Sequence, residues 1–151
     1  MGKTLDGRLV DRVSAYVFDY LARPRQQLEG MPICPFIKTH RAKIDVVATE
    51  HWEIKIRQVC ELIGNIRQEA VVICGNWIDY DEILSICDDY QSRYQDRDVE
   101  ILLMHPDTEQ SPLPLEYTFT ECPLVIVQKQ STLENARKQL KKAGKYYKFY
   151  K

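Results

Sequence analysis

Cys34, in the stretch MPICPFIKTH (residues 31–40), has Pro32 two positions before it and Pro35 directly after it. Proline fixes its own φ, so the thiol is presented from a stiff, irregular segment. A thiolate held in this way can ligate haem iron and push electron density onto the metal. It can also act as a nucleophile if Lys38 and Arg41 depress its pKa. His105, in His105-Pro106-Asp107, follows directly on an apolar run. Its imidazole can serve as an opposing metal ligand or as an acid/base group. Cys34 and His105 are therefore the candidate catalytic and metal-binding pair, with Pro35, Phe36 and Lys38 completing a cofactor-binding segment. His105 with Asp107, two positions apart at a strand end, offers a non-haem metal pair as well. A packing role stands beside each reading: Ile33 and Phe36 can wedge under a helix, and His105 can cap a strand by bonding to the adjacent loop.

The remaining thiols point elsewhere. Cys60, Cys74 and Cys87 fall on apolar faces, where free cysteine packs as a small hydrophobe. Five cysteines are an odd number and no CxxC pair occurs, which argues against a disulfide framework and an ordinary zinc knuckle. His40 and His51 read as surface or capping residues. No glycine-rich phosphate loop, G-x-S-x-G elbow or H-E-x-x-H occurs, so nucleotide-dependent, serine-hydrolase and zincin chemistries have no support.

The elements that must position these groups follow from periodicity. Leu9, Val10, Val13, Tyr16, Val17, Tyr20 and Leu21 recur at helical spacing, predicting an amphipathic helix over residues 5–22. Pro24, Gly30, Pro32 and Pro35 make residues 24–42 a stiffened loop. Lys43 to Thr49 reads as a strand, and Trp52, Ile56, Val59, Cys60 and Ile63 line a helix that Gly64 can end. AVVIC (70–74) is a buried strand whose Gly75-Asn76 exit lies at the same rim as His105. Asp79 with Glu82 predicts a capping box for a helix buried through Tyr80, Ile83, Leu84, Cys87 and Tyr94. VEILLM (99–104) and PLVIVQ (123–128) are further strands, and Ser131 with Glu134 predicts a cap for a last helix. This order predicts a single α/β domain with a mainly parallel, roughly four-stranded mixed sheet covered by helices. Its divisions are an N-terminal helix (1–23), a Pro-rich loop (24–42), an α/β core (43–143) and a basic aromatic tail (144–151). The order also matches the thioredoxin fold, in which Cys122-Pro123 would imitate a cis-proline before a strand. Thr49-Glu50-His51-Trp52 stands where a thioredoxin carries its reactive cysteine, so a dithiol mechanism is not expected.

Composition bounds the rest. A chain of 151 residues, 44% hydrophobic and 28% charged, can bury one core. The longest apolar runs are too short to span a bilayer, and the N-terminus lacks the apolar stretch of a secretory signal. A cytoplasmic protein with no membrane association is expected. Net charge is −1, but acidic residues crowd the stretch from Asp79 to Glu121 and basic ones the end from Arg137 to Lys151. KKAGKYYKFYK could hold phosphates while its rings stack on bases. Lysines favouring a helix C-terminus explain it better, so nucleic acid is not the expected partner. An open sheet edge leaves room for a homodimer.

Cys34-Pro35-Phe36 with Lys38, together with His105-Pro106, resembles a motif set found in a group of small uncharacterised bacterial proteins. There, a Cys-Pro-Phe follows an N-terminal helix and a His-Pro ends a later strand. The resemblance covers residues 10 to 140. This chain departs from it in being shorter, in splitting the later Ser-Pro-x-Pro segment between Ser111–Pro114 and Thr120–Pro123, and in lacking an arginine after the next strand. More distantly the arrangement is similar to the YqcI/YcgG-like family, some of whose members are haem-dependent N-oxygenases, which implies a haem or other cofactor. Two functions follow as expectations. One is a small oxidoreductase or oxygenase-like enzyme acting on a small-molecule substrate, with Cys34 or His105 at a haem or metal. The other is a non-catalytic interaction module that meets a partner through its acidic middle or its basic tail.

Overall fold

The computed structural model describes residues 7–21, 43–108 and 118–132, with residues 134, 135 and 138. Helix α1 (Gly7–Ala15) runs into a widened π-helical turn, Tyr16–Tyr20. Leu21 N–H closes that turn on the Tyr16 carbonyl at 2.9 Å. Leu9, Val13, Tyr16, Val17 and Leu21 form the buried stripe that the spacing predicts.

Four strands follow: β1 (Ile44–Thr49), β2 (Ala70–Gly75), β3 (Val99–Met104) and β4 (Leu124–Lys129). Helix α2 (Trp52–Leu62) joins β1 to β2 and continues through Gly64 as a 3-10 turn, Ile63–Asn65. Helix α3 (Tyr80–Tyr94) joins β2 to β3. The spatial order is β1-β2-β4-β3. The fold is α/β, with helices around a mixed four-stranded sheet.

Three of the four strands point the same way, yet only the β1–β2 ladder is parallel; β4 inserts between β2 and β3 and pairs antiparallel with both. The thioredoxin expectation is corrected at two points. In that fold the first strand is interior, whereas β1 is an edge here because β4 takes the inner place. No peptide bond among the described residues is cis, so Cys122–Pro123 is trans.

Alternation along the strands separates two cores. Val72, Cys74, Leu124 and Met104 face α1, with Cys122 beside them. Val71, Ile73, Val99, Val125 and Val127 face α2 and α3, meeting Trp52, Ile56, Ile63, Ile83 and Cys87. Each such aliphatic side chain contributes about 1.5–3 kcal/mol on burial. All four described cysteines are buried free thiols, as expected for Cys60, Cys74 and Cys87.

Two caps differ from the sequence expectation. Asp79 occupies the N-cap position of α3 but makes no side-chain cap bond; its Oδ1 accepts instead from Trp77 Nε1 at 3.4 Å. The helical residues after β4 begin at Gln130, one position before Ser131. Their cap is supplied from afar by Asp98, whose carboxylate accepts from the Ser131 N–H and hydroxyl, each at 2.7 Å. Among the described residues, no helix is long and apolar enough to cross a membrane.

Candidate functional site

His105 leaves β3 at its carboxyl end and is fully buried. Its Nδ1 accepts the Asp107 backbone N–H at 3.0 Å, which puts the hydrogen on Nε2. Nε2 then donates to the Ile78 carbonyl at 2.9 Å. Trp77 and Tyr80 meet the ring edge-on, with centroids 5.0 and 5.6 Å away. Both ring nitrogens are therefore committed to backbone, and the strand-capping alternative describes the geometry. Asp107 meets the imidazole through its backbone N–H. Among the described residues, no group of three or more His, Cys, Asp or Glu could hold a metal ion. Cys34, Pro35, Phe36 and Lys38 lie outside the described residues, as does the basic aromatic tail. A haem or metal held by His105 does not fit these contacts.

The rim expected at Gly75-Asn76 does carry a concavity. A cleft of about 550 Å³ opens outside the carboxyl ends of β1 and β2, between the first turns of α2 and α3, the place where open α/β sheets take ligands. Its two flanking turns are built locally. Thr49 Oγ1 accepts from the His51 N–H at 2.9 Å and donates to the His51 carbonyl at 3.0 Å, turning the chain from β1 into α2. Trp52 is buried at the start of α2, and its Nε1 donates across to the Asn76 carbonyl at 2.9 Å, tying the two loops together. Gly75 is obligatory beneath them, because a Cβ there would sit 2.2 Å from the Thr49 carbonyl oxygen.

Trp77 and Ile54 line the opening and are 46% and 47% exposed, large apolar side chains left at the surface. Around them stand four carboxylates, Glu50, Glu53, Asp79 and Glu82, against one guanidinium, Arg57. Glu53 is held from behind by Tyr90, whose hydroxyl donates to its Oε2 at 3.1 Å. Burial, then this bond to Glu53, raises the Tyr90 pKa, so the phenol stays a donor.

The thiols offer little chemistry in this state. Burial pushes Cys60, Cys74 and Cys87 up to about 12, and raises Cys122 as well. Sequence reasoning located the rim at Asn76 and His105 but missed Trp52, Trp77 and the carboxylates as its lining. The available signal was a tryptophan following a glycine-asparagine exit from a buried strand, with Asp79, Asp81 and Glu82 just after it. No family model, curated protein or solved structure matches this chain.

Proposed function

We propose that this protein is a non-catalytic interaction module whose acidic cleft captures a basic group, the lysine or arginine side chain of a protein partner. The observation that carries this reading is the half-exposed Trp77 set among four carboxylates and one arginine in a concavity at the sheet's carboxyl rim. A cation entering there gains counter-charges and an aromatic face, the latter worth about 0.5–2 kcal/mol by itself. Ile54 and Ile78 supply apolar area for the aliphatic stem of the same side chain. Four buried free thiols suit the reducing cytoplasm.

The test is titration with a lysine- and arginine-rich peptide, followed by tryptophan emission and calorimetry. Saturable binding that weakens with salt and falls about ten-fold in Trp77→Ala supports the reading. A cofactor-dependent oxidoreductase or oxygenase would have to rely on Cys34 instead. A Soret band in protein purified from cells given iron and haem precursor, altered by Cys34→Ser, would replace the binding reading with that one.

A further inference from the structure

The loop that carries Trp77 is fastened on both sides of it. The carbonyl of Asn76, one residue before, accepts from Trp52 Nε1 at 2.9 Å. The carbonyl of Ile78, one residue after, accepts from His105 Nε2, also at 2.9 Å. One donor comes from α2 and the other from the end of β3, so the Asn76–Trp77 and Ile78–Asp79 peptide units, one on each side of Trp77, are held by different elements. The His105 ring also backs the Trp77 indole edge-on at 5.0 Å, while the far part of that indole stays at the cleft surface.

We infer that His105 is a positioning residue for the cleft: its bond to the Ile78 carbonyl and its edge contact fix the orientation in which Trp77 is presented to a ligand. This rests on the reading of the cleft as a binding site. The demand on residue type is specific. The side chain must donate at the Nε2 position to reach Ile78 and accept at the Nδ1 position from Asp107, which one neutral imidazole tautomer does at once. Glutamine places an N–H near the Nε2 position and keeps the first bond. Asparagine places an oxygen near the Nδ1 position and keeps only the second.

The experiment uses the full chain labelled with 5-fluorotryptophan, whose two resonances are assigned by Trp77→Phe. The expected result is that His105→Asn shifts or broadens the Trp77 line and weakens a lysine-rich peptide by about five-fold or more, while His105→Gln restores most of both. A folded His105→Asn protein with an unmoved Trp77 line and peptide affinity within two-fold of the parent would overturn the inference. If that variant does not fold, a long-range proton–nitrogen spectrum of the unmutated protein decides: the Nε2–H tautomer supports the clamp and the Nδ1–H tautomer overturns it. Should the parent protein bind no basic peptide, the binding reading fails alone, because the fluorine line and the tautomer still report on the clamp.

Discussion

Replacing Trp77 with alanine removes the ring that a bound cation would face. The peptide affinity is expected to fall by about ten-fold, the equivalent of roughly 1.4 kcal/mol and within the range of a partly desolvated cation–π contact. Calorimetry on Trp77→Ala checks this, with circular dichroism confirming an unchanged fold. Gly75→Ala is expected to fail differently. Its Cβ would meet a backbone oxygen rather than a movable side chain, so a loss of about 3 kcal/mol in denaturant unfolding is expected, as for other overpacked interiors. Single residues were unevenly legible in the sequence. The burial of Cys60, Cys74 and Cys87 could be read from their apolar faces. The commitment of His105 was legible only in part: the bond from the Asp107 N–H is the adjacent-loop contact that its place after a strand allows, whereas the Ile78 carbonyl lies 27 positions away.

At the scale of elements, periodicity carried the assignment wherever one face packs on the sheet. Strand β3 keeps the predicted bounds, and β2 extends by one residue to Gly75. Caps were less legible, because the side chain that satisfies a helix end need not be its sequence neighbour. Asp98 is the clearest instance. It sits in the left-handed region at φ 60° and caps the helix after β4 across 33 positions. Two costs are thereby combined, and they can be separated. Asp98→Ala should lose the cap and strain the backbone, about 2 kcal/mol in all. Asp98→Gly should lose only the cap and be about 1 kcal/mol less damaging in urea unfolding. Within β4, Gln128 Nε2 is buried without a hydrogen-bond partner among the described residues. Gln128→Met should raise the thermal midpoint, since an orphaned buried amide typically costs about 1–3 kcal/mol; an unchanged or lower midpoint would contradict that assignment.

For the whole molecule, the α/β class was legible, but the sheet order was not, since nothing local in the sequence tells β4 to enter between β2 and β3. The same global burial sets the alkaline limit of stability. Unfolded cysteines titrate near their ordinary value of about 8.5, whereas burial holds Cys60, Cys74 and Cys87 near 12. The folded state therefore binds more protons in this window. These thiols contribute stability in full below about pH 8.5 and progressively less as pH rises toward 12. Denaturant midpoints should fall steadily over that interval, and less steeply when Cys87 is replaced by alanine in a variant that still folds. Thiol labelling of the native protein at pH 8 should likewise leave all four described cysteines unmodified until unfolding.

Whether the acidic, tryptophan-edged cleft binds a basic group is measured directly by calorimetric titration of the protein with paired basic and acidic peptides at low and moderate salt. Saturable binding of the basic peptide alone is expected, weakened by salt and reduced in Trp77→Ala and in Glu53→Gln with Glu82→Gln. Binding that is absent, or indifferent to all three substitutions, would contradict the binding reading.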